Sequence, residues 1–169
     1  MDWKIAERAL QASRKYWACK LAVAAACGCA FPAQAASLCA PSEPVVFACH
    51  VGSKMVSLCR QAGDRGMLSY RFGGPDKLEL SYPEPGRQAS AAFTVKSAPL
   101  VGGGETTVAF KRGVYTYTVY SKMARSQDGT TPEFEDGVTV SRRGKVLSKM
   151  RCEDGGEGFR EPVGSVAVK

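Results

Sequence analysis

The sequence predicts an all-β domain, a small antiparallel β-barrel or β-sandwich of about eight strands, preceded by a signal peptide. Three observations carry this expectation. Short segments rich in β-branched and aromatic residues recur along the chain, separated by Gly-containing turns. No segment after residue 35 shows a convincing helical period of apolar residues. Four cysteines follow residue 35, an even number that suits disulfides in an oxidising compartment.

The first element is the export signal. Lys4, Arg8, Arg14, Lys15 and Lys20 precede the apolar run 21–31, LAVAAACGCAF, and Ala33-Gln34-Ala35 then offers small residues at the −3 and −1 positions of a cleavage site. Eleven mostly apolar residues are too few to cross a bilayer, which takes about 20. A lipoprotein signal would need a Leu-Ala-Gly-like triplet before Cys27, and Ala24-Ala25-Ala26 is a poor version of it. The expected organisation is therefore a signal peptide over residues 1–35, a β-domain over 36–152 and a loose, Gly- and Glu-rich tail over 153–169. Such a chain is periplasmic or secreted.

Removing residues 1–35 takes away five of the 23 basic and two of the 16 acidic residues, leaving 18 against 14. The basic excess falls from seven to four, so part of it belongs to the export signal, and a nucleic-acid-binding function has little support in the charge balance. The densest basic cluster, Arg142-Arg143-Gly144-Lys145, reads as a hairpin turn with solvated charges.

The strands follow in order. Residues 45–51 and 55–59, VVFACHV and MVSLC, flank Gly52-Ser53, a two-residue hairpin turn. In that register Cys49 faces Val56 and Val51 faces Lys54, so Val45, Phe47, Cys49, Val51, Val56 and Leu58 share the core face while His50 and Cys59 lie on the other. Residues 67–72 and 78–82 form a second hairpin across Gly73-Gly74-Pro75-Asp76. Strands are then expected near 92–95, 107–110 and 114–120, with Gly113 turning the last pair. A polar excursion, 126–136, leads to a last hairpin over 137–140 and 145–147.

Face parity also constrains the cysteines. Inward Cys49 and outward Cys59 cannot bond one another, which leaves two of three connectivities. Cys152 shares the parity of Val146 and Met150 and matches Cys49, so the favoured pairing is Cys49 with Cys152 and Cys39 with Cys59. A metal site at Cys49-His50-Cys59 would call for CxxC or HxxxH spacing and a second histidine; His50 is the only one in the chain.

Catalytic patterns are sparse, and no cofactor or metal is expected. Gly102-Gly103-Gly104 lacks the Gly-Lys-Ser/Thr of a phosphate loop and reads as a flexible connection. A triad would have to use His50, yet no Gly-x-Ser-x-Gly elbow is present. Glu79, Glu84, Glu105, Glu133, Glu135 and Asp136 could supply a glycosidase-like pair, but nothing selects two of them, and solvated surface carboxylates are the expectation. Phe110, Tyr115 and Tyr117 read as core or cross-strand packing.

The stretches VVFACHVGSKMVSLC, YRFGGPDKLELSYP, VAFKRGVYTYTVYSK and GVTVSRRGKVLSKMRC resemble a group of exported bacterial proteins that share this order of segments. More faintly, Phe47-Ala48-Cys49, Cys152 and the Tyr-rich segment are similar to periplasmic and membrane-bound inhibitors of C-type lysozyme, which are small barrels. Tyr117-Thr118-Val119-Tyr120-Ser121-Lys122-Met123 matches the Tyr and Lys of their Tyr-x-x-x-Thr-Lys-Gly motif, with Ser for Thr and Met for Gly. The resemblance implies a non-catalytic domain that binds a macromolecular partner in the envelope. It names a lysozyme-like wall hydrolase as that partner, met by Tyr117, Ser121 and Lys122. An envelope hydrolase using a carboxylate pair and a purely structural envelope component are the competing expectations.

Overall fold

The structure, a computed structural model, describes residues 37–61, 67–74, 76–84, 93–153, 155 and 157–163. The expected signal peptide, 1–35, lies outside the described residues. Two antiparallel sheets account for the fold. The first runs in the order β1-β2-β3-β4, with β1 Val45–Val51, β2 Lys54–Arg60, β3 Leu68–Gly74 and β4 Lys77–Tyr82. The second runs β5-β6-β7-β8-β9, with β5 Phe93–Leu100, β6 Gly103–Arg112, β7 Tyr115–Arg125, β8 Pro132–Arg142 and β9 Lys145–Arg151. Every neighbour in each sheet is also the next strand in the chain, so both are simple meanders. No strand of one sheet ladders with a strand of the other among the described residues. Of the two expected architectures, the chain therefore adopts the sandwich; the barrel is not formed.

The core lies between the sheets. Phe47, Val56, Leu58 and Tyr70 from the first pack against Phe93, Val108, Phe110, Val119 and Val138 from the second. An aromatic stack holds the centre: the Phe110 ring lies 4.3 Å from Tyr82 and 5.0 Å from Tyr117, with Tyr70 at 4.9 Å. Such ring pairs add about 0.5–1.5 kcal/mol each beyond the area they bury. Burial also pushes the Tyr70 phenol well above its ordinary range. Tyr115 sits at the rim of this packing, exposed beneath Arg142.

The first hairpin keeps the expected pairs Cys49 with Val56 and Val51 with Lys54. A register shift between Val45 and Phe47 breaks strict alternation, so Val46 joins the core beside Phe47 and Val45 is only half-buried. Cys59 lies on the face opposite Cys49 but is buried, because residues 37–44 cover that face. Leu38 N donates to Ser57 Oγ at 2.9 Å, and Arg71 donates to the Leu38 carbonyl at 2.9 Å and, through Nη2, to Glu43 Oε1 at 2.9 Å.

Two expectations in the second sheet are corrected. The glycine run is part of the sheet, not a flexible loop: Gly102 makes the turn at φ +76°, and Gly103 and Gly104 enter the ladder of β6. Gly103 is held to glycine by proximity, since a Cβ there would stand 2.2 Å from the Met123 carbonyl oxygen. The polar excursion also shrinks to 126–131, because β7 and β8 pair as far as Arg125 with Pro132. Proline is tolerated at that first strand position, where no ladder donor is required.

The C-terminal segment differs from the loose tail expected over 153–169, of which 154, 156 and 164–169 lie outside the described residues. Phe159 packs on Phe47 with ring centroids 5.4 Å apart, Val163 is buried in the core, and Arg60 pairs with Glu161 at 2.9 Å. Glu153 N donates to the His50 carbonyl at 3.0 Å and Arg160 N to that of Val46 at 2.9 Å. β1 is an edge strand, and these bonds occupy part of its free edge.

Two disulfides complete the frame, Cys39–Cys59 and Cys49–Cys152, each with Cα atoms 5.5 Å apart. The second spans 103 residues and ties β1 to the end of β9; the first spans 20 and pins the N-terminal cover to β2. Loop-closure entropy predicts that removing the longer bond, as C49S/C152S, lowers the unfolding free energy by about 4–5 kcal/mol and C39S/C59S by about 3 kcal/mol. Urea titration of both variants checks the order. A second outcome concerns pH: Arg71, by hydrogen bond, holds the Glu43 carboxyl below its ordinary value of 4.5. A carboxylate with a lowered folded pKa stabilises above its unfolded value and loses that contribution as pH falls through the folded value. Stability should therefore decline as pH drops below about 4.5, with a shallower decline in E43Q, measured as the urea midpoint against pH.

Candidate functional site

Strand alternation separates the three residues expected to meet a partner. Tyr117, Val119 and Ser121 share the core-facing side of β7, while Thr118, Tyr120 and Lys122 face outward. Tyr117 stacks on Phe110, and Ser121 lies near Gly158, whose Cβ position would be 3.0 Å from Ser121 Oγ. Of the three, Lys122 alone reaches the outer face. Residues four apart in a strand share a face and residues five apart do not, so Tyr117 and Ser121 turn away from the side that Lys122 presents.

Around Lys122 the outer face forms a cross-strand row. Glu105 on β6 and Glu135 on β8 are its direct neighbours in the ladder. Neither acid forms an ion pair with Lys122, which has no ion-pair partner among the described residues. Glu135 is drawn the other way. Its carboxylate accepts from the Tyr120 hydroxyl at 2.9 Å and pairs with Lys149 at 2.6 Å and Arg151 at 3.3 Å. The hydrogen bond from Lys149 leads in holding Glu135 below its ordinary value. Burial first, then the bond to Glu135, drives the Tyr120 phenol far above its ordinary value, so it remains a neutral donor.

Tyr120 occupies this place because β8 carries a glycine opposite it. Tyr120 pairs with Gly137 across the ladder, and the buried ring lies over that bare backbone beneath Lys149, whose Nζ is 5.3 Å from the ring centroid. A Cβ on residue 137 would stand 2.8 Å from the phenol oxygen and 2.2 Å from the Met150 carbonyl.

Two hollows meet at Lys122. One, of about 310 Å³, is lined by Lys122, Phe134, Glu135, Asp136, Arg151 and Cys152 among others. The other, of about 270 Å³, runs along the outer face past Thr107, Thr118, Tyr120, Thr139 and Lys149. Phe134 leaves 65% of its surface exposed beside the first, paired across strands with half-exposed Met123. Aromatic side chains, phenylalanine included, are enriched at protein interfaces. Sequence reasoning missed Phe134, Glu135, Lys149 and Arg151 as a group, because 126–136 reads as a polar loop until β7 and β8 are paired. Alternation through Phe134, Asp136 and Val138 was the available signal.

The remaining expected acids sit apart. Glu79 pairs with Lys54 at 2.7 Å and Glu84 with Arg112 at 2.9 Å. Asp136 is buried on the core side and accepts from Gly158 N at 2.8 Å. Glu135 is ion-paired and depressed, the reverse of what a general acid requires. Among the described residues no group of three His, Cys, Asp or Glu side chains is placed to hold a metal ion. His50 is half-buried on β1.

Against protein-family models, curated proteins and solved structures, the chain finds no match. The outer-face geometry leads to one structural expectation. G137A should lose about 1–3 kcal/mol of stability, since both the backbone carbonyl and the Tyr120 ring must yield. Urea titration measures the loss, and detachment of Tyr120 from Glu135 should appear as a lowered phenol pKa in a spectrophotometric titration.

Proposed function

We propose that this chain is an exported, non-catalytic β-sandwich that binds a macromolecular partner in the bacterial envelope, and that a lysozyme-like wall hydrolase is that partner. One observation carries the reading: Lys122 on the outer face, a cation with no ion-pair partner among the described residues, and exposed Phe134 on the opposite face of β8 both line one cleft at the end of the β7–β8 pair. A lysine in that setting can enter a partner's acidic cleft and form charge-assisted hydrogen bonds with carboxylates. Phe134 supplies the desolvated apolar contact that such a bond needs around it.

The oxidised frame supports an address outside the cytoplasm, because structural disulfides persist in oxidising compartments. No helix among the described residues is long and apolar enough to cross a membrane. The departure from the sequence expectation lies in the contact set. Lys122 keeps its role, Phe134 replaces Tyr117 and Ser121, and the latter two support β7 from the core side.

The test is residual lysozyme activity in the presence of the purified protein, with binding measured in parallel by calorimetry. K122A and F134A should each weaken binding about 30-fold, the loss expected of an interface hot spot near 2 kcal/mol. Undiminished activity of C-type, g-type and i-type lysozymes at saturating protein would remove the named partner.

A further inference from the structure

A second surface lies at the opposite end of the five-stranded sheet from the Lys122 cleft, and the proposed function makes no use of it. The β6–β7 turn, Lys111-Arg112-Gly113-Val114-Tyr115, and the β8–β9 turn, Arg142-Arg143-Gly144-Lys145-Val146-Leu147, stand side by side there. Tyr115 pairs with Arg142 across strands, and Arg143 N lies 3.4 Å from the Val114 carbonyl it donates to. Five cations gather on the two turns, without a single Asp or Glu in either stretch. Glu84 neutralises Arg112 at 2.9 Å. Lys111, Arg142, Arg143 and Lys145 are exposed and have no ion-pair partner among the described residues.

Apolar side chains share the same tip. Val114 is 47% exposed, Tyr115 37%, Val146 57% and Leu147 54%. Leu147 protrudes because a register shift between Val140 and Ser141 leaves it without a cross-strand partner. Arg143 adds a backbone observation. It stands at φ +50° followed by Gly144 at +83°, the left-handed pair of a tight hairpin turn in which Asn or Gly is the favoured first residue. A cation thus occupies a position whose conformation disfavours it.

We infer that this tip docks on an anionic lipid surface, with Lys111, Arg142, Arg143 and Lys145 at the headgroups and Val114, Tyr115, Val146 and Leu147 entering the boundary with the acyl chains. The pairing of groups selects the occupant. A soluble polyanion complements the cations but gains nothing from three aliphatic side chains and a tyrosine ring, whereas an anionic bilayer takes both at one depth. Tyrosine suits that boundary, with an apolar ring and a polar hydroxyl. Each cation near such a surface strengthens attachment about fivefold, and the contribution is screened by salt.

The experiment uses the full chain carrying W3F, W17F and L147W, so that a single indole reports on position 147 and not on the apolar N-terminal run. With phosphatidylglycerol vesicles its emission should shift to the blue; with phosphatidylcholine alone it should not. The charge-removing variant R142S/R143S/K145S in that background should need about a hundredfold more anionic lipid, while the charge-keeping R142K/R143K/K145R retains the shift. Salt at about 1 M, where the Debye length is about 3 Å, should weaken binding of the parent in the same direction, a readout independent of any variant's folding. An unshifted indole on anionic vesicles, or a shift indifferent to both charge and salt, overturns the inference. So does equal affinity for soluble dextran sulfate, which would make the tip a polyanion site. Lysozyme binding is read at the other end of the sheet, so the two proposals fail separately.

Discussion

The bond between Cys49 and Cys152 joins the first strand of one sheet to the end of the last strand of the other. Two meanders that share only a hydrophobic face can slide or splay at their edges. A covalent link spanning 103 residues removes that freedom at one edge and fixes which faces meet. Phe47 and Val56 then stand against the residues of β7 and β8 that bury the same face. Toward the far edge Tyr82 of β4 and Phe93 of β5 meet edge-on and both contact Phe110 of the central aromatic group, a closure made without covalent help.

Two segments outside the strands cover the four-stranded sheet. Residues 37–44 cover the outer face of the four-stranded sheet, anchored by Cys39 and by the Arg71–Glu43 pair. The segment 157–163 closes over β1 through Phe159, Arg160 and Val163. An exposed β1 would offer a pairing template to other chains, and the cover suppresses that hazard. The five-stranded sheet is treated differently: its outer face stays open, lined by Thr107, Thr118, Thr139 and the charged row around Lys122. The openness of one sheet and the cover on the other concentrate possible contacts on a single side of the sandwich.

Charge on that side is sorted by strand pairing. Glu135 is satisfied by Lys149, Arg151 and Tyr120, which leaves Lys122 as the surplus cation at the cleft. At the other end of the same sheet, the basic turns lack acids altogether except where Glu84 reaches across. The sheet therefore carries two basic features of different character, one in a hollow that exposed Phe134 also lines and one on a protruding apolar tip.

The β class, the turn positions and the cysteine pairing were legible in the sequence, because alternation, Gly-centred turns and face parity are local properties. The register Cys49 with Val56 follows from a two-residue turn alone. Sandwich or barrel was not legible, since closure depends on whether edge strands find one another, and nothing in β1, β4, β5 or β9 encodes that singly. The full length of β7 and β8 was hidden by polar residues that are stabilised only by pairing with each other. The role of 157–163 was hidden for a related reason: a Gly- and Glu-rich segment looks unstructured until Phe47 and the carbonyls of β1 give Phe159, Val163 and the backbone something to bind. Lys122 could be nominated from its motif, but its neighbours could not. The sequence by itself determined what each strand prefers to bury; only the tertiary structure decided which buried faces meet and which charges are left over, because those depend on contacts between residues far apart in the chain.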